Sequence, residues 1–198
     1  MNYFGQINAI LKDGSEPFTN GEKPIEFKLI DFWRWNTSDL LSNAMRGRLA
    51  EFIVGTAVGC NLKVVRNEWD AYDLLSVHGV KIEVKSSSYL QSWTQKGFSK
   101  ISFSIKPAKI WNPITGMYSE TKSRSADFYV FCLLNHKNSK TINPLDLSQW
   151  DFFIVPTSFL NAHFNEANTI SLNKLQSHFN SIKYDELACF DFKMNSIL

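Results

Sequence analysis

Tyr72-Asp73-Leu74-Leu75-Ser76-Val77-His78-Gly79-Val80-Lys81-Ile82-Glu83-Val84-Lys85 decides the fold. The stretch predicts a β-hairpin, with Tyr72, Leu74, Ile82 and Val84 on one apolar face by period-two alternation. The register follows from the loop. A two-residue loop at His78-Gly79 would set Asp73 opposite Val84 and send Asp73 and Glu83 to opposite sides. A three-residue loop over Val77-His78-Gly79 pairs Ser76 with Val80, Leu74 with Ile82 and Asp73 with Glu83, and hands Gly79 the left-handed position such loops want. That register keeps the apolar face whole. Burial selects strongly for it, because a one-residue slip turns every side chain over.

Two carboxylates side by side on a strand pair repel each other. Lys85, two residues beyond Glu83 on the same face, brings one compensating charge, and a divalent cation would bring more. Carboxylate oxygens suit Mg²⁺ or Mn²⁺, which take few protein ligands and keep waters for a substrate phosphate. Asp73 followed ten positions on by Glu83-Val84-Lys85 resembles the signature of the PD-(D/E)XK nuclease superfamily, the fold of many restriction endonucleases. Ala71-Tyr72 precede the aspartate where many members carry proline. The resemblance covers roughly Ser38 to Val155.

The resemblance implies an α/β fold, restriction endonuclease-like, with a mixed central sheet flanked by helices. It implies catalysis by Asp73, Glu83 and Lys85. Mg²⁺, with Mn²⁺ able to substitute, would be held by Asp73, Glu83 and the backbone carbonyl of Val84. A glutamate on the helix before the hairpin often helps hold the metal in such nucleases, and Glu51 is the acid placed to do so, with no other between Asp39 and Glu68. The expected activity is a metal-dependent endodeoxyribonuclease, as in restriction or other DNA-defence enzymes. A homodimer is the natural assembly, since duplex cleavage needs two sites. A repair, recombination or RNA nuclease is the alternative, and a DNA-binding module that does not cut is a second.

Outward from the hairpin, the chain of 198 residues, rich in Phe and Trp, predicts a single domain with a sizeable core. No run approaches a membrane span and no signal pattern opens the chain. Cys60, Cys132 and Cys189 lack metal spacing and predict reduced thiols in a cytoplasmic protein. The net charge of +2 is too small to argue for nucleic acid by itself. Its distribution says more: Lys96, Lys100, Lys106, Lys109, Lys122 and Arg124 face one acid, Glu120, around Trp111 and Tyr118, as phosphate-backbone contact needs. Ser86 and Gln91, just past Lys85, are further candidate contacts to nucleic acid.

Helical spacing predicts one helix over Ser38–Val58, capped by Thr37 or Ser38, with Gly47 and Gly55 marking a close approach on one face. Phe27–Trp35 reads as a strand or an arm, and Asn61–Val65 as a short strand. Ile101, Phe103 and Ile105 alternate as a half-buried strand, and Ala126–Leu134 is a buried central one. Trp150–Val155 is another strand, followed by short helices at Phe159–Phe164 and after Ser171. The four histidines share no metal spacing.

Overall fold

The computed structural model describes residues 7–68, 70–112 and 115–192. Its elements run β1 (Pro17–Asn20), β2 (Lys23–Lys28), α1 (Leu29–Thr37), α2 (Asn43–Ala57), β3 (Leu74–Leu75), β4 (Lys81–Ser88), β5 (Ser102–Ser104), β6 (Trp111–Asn112), β7 (Met117–Tyr118), β8 (Phe128–Leu134), β9 (Trp150–Pro156), α3 (Thr157–His163), β10 (Thr169–Ser171), α4 (Leu172–Gln176) and α5 (Tyr184–Ala188). The architecture is mixed α/β. Its central sheet has the order β3-β4-β8-β9, with β4 and β8 parallel and both flanking pairs antiparallel.

Every residue of β8 is buried, as its unbroken apolar run Phe-Tyr-Val-Phe-Cys-Leu-Leu requires of a strand covered on both faces. One face, carrying Phe128, Val130 and Cys132, packs with Ile82 and Val84 beneath Ala50, Ile53 and Val54 of α2 and Leu187 of α5. The other, carrying Tyr129, Phe131 and Leu133, packs against Phe103 of β5, Ile170 of β10, Leu160 of α3 and Leu175 of α4. Helices therefore lie on both faces, as expected.

The hairpin takes the expected register. Leu74 pairs with Ile82, the Ser76 amide donates to the Val80 carbonyl at 2.9 Å, and Gly79 sits at φ +79°. The hairpin's first strand is shorter than expected, because the ladder beyond Leu74 passes from backbone to side chain.

Several boundaries differ from expectation. The helix expected over 38–58 is present as α2 but begins five residues later, at Asn43. α1 ends at Thr37, whose hydroxyl turns back to the Trp33 carbonyl, and α2 starts after Ser42, whose Oγ accepts from the Met45 amide. Three residues after the cap, that bond satisfies a free helical donor that Ser38 is placed too early to reach. Phe27–Trp35 divides between β2 and α1, which bury none of their side chains. Residues 61–65 form turns, not a strand, with the Cys60 amide bonded back to the Gly55 carbonyl. Gly55 is the glycine that close packing requires: a Cβ there would lie 3.1 Å from Leu62 Cδ2, whereas at Gly47 it would meet nothing within 4 Å.

Arg124 is a structural residue. Only 9% exposed, it donates to the Ile105 carbonyl at 2.8 Å, the Asn161 side chain at 2.7 Å and the Phe164 carbonyl at 2.9 Å. It ties β5 to the C-terminal end of α3 and is withdrawn from the nucleic-acid contacts expected of it. Arg124→Met should leave those acceptors unpaired in the interior and cost about 2–4 kcal/mol, read as a lower urea midpoint with unchanged slope.

Candidate active site

β4 supplies two of the charged side chains by simple alternation. Ile82 and Val84 point to α2, so Glu83 and Lys85 point to the opposite face, over Tyr129 and Phe131 of β8. Asp73 is brought in from the other arm of the hairpin. Its amide donates to the Ile82 carbonyl at 3.1 Å and its Oδ2 accepts the Val84 amide at 2.8 Å, so the side chain continues the ladder where β3 stops. The same alternation takes Ser86 away. It pairs with Cys132 on the face of Ile82 and Val84, and is removed from the expected substrate contacts.

Two cations sit among the acids. Lys85 Nζ is hydrogen-bonded to Glu83 Oε1 and lies 3.6 Å from Asp73 Oδ2. Arg66, from the turns after α2, grips Glu51 with two nitrogens, Nε on Oε2 and Nη2 on Oε1 at 3.1 Å, while Nη2 lies 3.6 Å from Asp73 Oδ1. Glu51 is thus at the site, held by Arg66. Arg48 pairs instead with Glu68 at 2.7 Å in an exposed contact.

The ionisation of these groups follows from their crowding. Burial, then the Asp73 charge, pushes the Glu83 carboxyl up, against the opposing pull of Lys85. Burial works against the Lys85 ammonium, but Asp73 and Glu83 together outweigh it and raise it. Tyr129, opposite Glu83 across the parallel pair, is pushed up to about 12, first by burial and then by the Glu83 charge.

Beside these acids is a cleft of about 280 Å³. Asp70, Tyr72, Asp73 and Glu83 form one wall; Lys109 and the edge-on pair Trp111 and Tyr118, with ring centroids 5.0 Å apart, form the other. Of the expected basic contacts, Lys109 is the one that lines it. Lys122 adjoins the bridge between Ala108 and Ser123 that holds this wall in place, and Lys96, Lys100 and Lys106 are exposed elsewhere on the chain. Gln91 is engaged inside the fold: its amide nitrogen donates to the Ser88 carbonyl and Ser99, and its oxygen accepts from Arg46 at 2.9 Å. That corrects its expected role as a substrate contact.

Among the described residues, no three His, Cys, Asp or Glu are gathered closely enough to form a metal cage. The donor set that is present, the adjacent carboxylates Asp73 and Glu83 beside an open cleft, fits Mg²⁺, which binds through one or two carboxylates and completes its shell with water and phosphate oxygens. Arg66 and Tyr129 escaped the sequence reading. Arg66 carries no motif and lies just past the segment Asn61–Val65 that reads as a strand, and Tyr129 is placed by a parallel register that local pattern does not reveal.

A sequence model of the bacteriophage T4 endonuclease IV family matches residues 29–174 of the chain, and the protein belongs to that family. The match runs from α1 into the first residues of α4 and so includes the site, α2 and α3. No curated protein matches the chain.

Because Glu83 binds its proton more tightly folded than unfolded, ionising it costs stability as pH rises through the carboxyl range. Glu83→Gln should therefore melt a few degrees above the parent at pH 7, with the difference vanishing below about pH 4, where both side chains are neutral. Calorimetric scans across that range check it.

Proposed function

We propose that this member of the bacteriophage T4 endonuclease IV family hydrolyses phosphodiester bonds of DNA, with Mg²⁺ or Mn²⁺ held by Asp73, Glu83 and the carbonyl of Val84, in a restriction endonuclease-like domain. The observation that carries the reading is Asp73, Glu83 and Lys85 on one sheet face, with the lysine ammonium touching both acids, beside a cleft walled by Lys109. Binding alone has no use for clustered carboxylates beside phosphate. The family's name, an endonuclease, supports the same class of activity.

When bound, the cation lowers the pKa of a coordinated water and neutralises charge on the scissile phosphate. The chain's own residues do the rest. Asp73 is oriented by the Val84 amide, which holds Oδ2 beside Lys85, while Oδ1 lies 3.6 Å from Arg66. Lys85, fully protonated between its two acids, is positioned to orient the attacking water and to stabilise charge developing on phosphorus. Lys109 would draw the phosphate backbone into the cleft, with Trp111 and Tyr118 beside the sugar and base. A duplex cut needs two such sites, hence a homodimer. The DNA-defence role expected from the motif gains nothing from a family named for a phage endonuclease, and the catalysis proposed is common to both settings.

Incubation of plasmid and single-stranded DNA with the purified protein, with and without Mg²⁺, tests the reading. Cleavage only with the cation is expected. Lys85→Ala should keep the fold and bind Mn²⁺ at least as well, while cleavage falls by about 10²–10³-fold. Absence of cleavage of DNA by Mg²⁺- or Mn²⁺-loaded parent protein would sink the nuclease. Equal rates for parent and Lys85→Ala would leave the nuclease and remove the lysine from its chemistry.

Phosphate contact at the second wall makes a separate expectation. Lys109→Glu should weaken DNA binding and flatten its dependence on salt by about one ion, as fluorescence anisotropy over a salt series would show.

A further inference from the structure

The acids of the site outnumber what Lys85 can balance. Asp73, Glu83 and Glu51 are only 16%, 21% and 13% exposed, and the second cation among them is Arg66. Its guanidinium chelates Glu51 and reaches Asp73, so it stands against the same carboxylate that a divalent ion would use. Both acids strengthen its hold on its charge, the Glu51 hydrogen bond most of all. The residue is 40% exposed, and the segment carrying it, 61–68, contains neither strand nor helix. Arg66 also lines a second cleft, of about 420 Å³, together with Asn67, Asp73, Leu62, Val64 and Val65. The side chain therefore has somewhere to go without breaking a backbone ladder.

We propose that Arg66 is a tethered counter-ion that competes with the divalent cation for Asp73 and Glu51. Cation binding turns its guanidinium out of the acid cluster and frees Glu51 to join Asp73 and Glu83 around the ion. The inference rests on the metal reading above. It explains why Glu51 lies at the site yet is not gathered with the other acids into a cage: its carboxylate is occupied by a guanidinium fork that matches it in shape as well as charge. Arg66 is here a positioning residue, acting on substrate chemistry only through the acids it holds.

The test is titration calorimetry with Mn²⁺ on the full chain, parent against Arg66→Gln, paired with thermal melts with and without saturating Mn²⁺. Removing the competitor should tighten Mn²⁺ binding by about tenfold. Arg66→Gln should melt below the parent without metal, because two half-buried acids lose their partner, and Mn²⁺ should close most of that gap. Arg66→Lys keeps the charge but not the two-pronged grip, and should fall between parent and Arg66→Gln in affinity. Mn²⁺ binding by Arg66→Gln that equals or falls below the parent's would overturn the competition while leaving the metal site standing. If neither the parent nor any variant binds Mn²⁺, the metal reading itself falls and this inference with it.

Discussion

Asp73 and Glu83 are like charges held on neighbouring positions of one hairpin, and what holds them there is the opposite face of the same hairpin. Leu74, Ile82 and Val84 are buried or half-buried against α2, so the register cannot slip to relieve the repulsion without exposing them. The crowding persists because apolar burial outweighs it. The rest of the site can be read as a response. Lys85 bridges the two acids, Arg66 reaches Asp73 from the far side while holding Glu51, and the Val84 amide takes one of Asp73's oxygens.

The sheet behind the hairpin makes this arrangement rigid. β8 lies parallel to β4 along its full length and is covered on both faces, so Tyr129 and Phe131 form a fixed apolar floor beneath Glu83 and Lys85. That floor lowers the effective dielectric around the charges, which strengthens each attraction and each repulsion among them. The second wall, with Lys109, Trp111 and Tyr118, belongs to a small separate hairpin, β6 with β7, joined to the chain beyond it by the Ala108–Ser123 bridge. The two walls of the cleft are thus carried by different parts of the fold.

How much of this was legible follows from where the information lies. The hairpin register was readable because loop length, the glycine and two-fold alternation all point the same way within fourteen residues. β8 and β9 were readable from their apolar runs. The start of α2 was not, because Leu40 and Leu41 extend its helical spacing back toward Ser38, and only the Ser42 bond to the Met45 amide marks where the helix begins. Basic residues counted along the chain overstated the contact surface. Arg124 carries the same charge as its neighbours, but burial against Ile105 and Phe164 commits it to the interior, a fact of tertiary packing. Ser86 failed for the opposite reason: strand alternation, already invoked for Glu83 and Lys85, assigns it to the other face. Arg66 was out of reach, since its role depends on a turn that brings it back over α2.

The bond from the Val84 amide to Asp73 has a use in spectroscopy. An amide whose acceptor is an ionised carboxylate has a downfield-shifted proton and exchanges with solvent only when that carboxylate lets go. Val84 therefore carries a built-in indicator of the charge on Asp73, one backbone resonance that moves whenever a proton, an ion or a ligand redistributes electron density at that oxygen. With nitrogen-15 labelling of valine alone, events at the centre of the site could be followed by heteronuclear NMR without placing a probe in it.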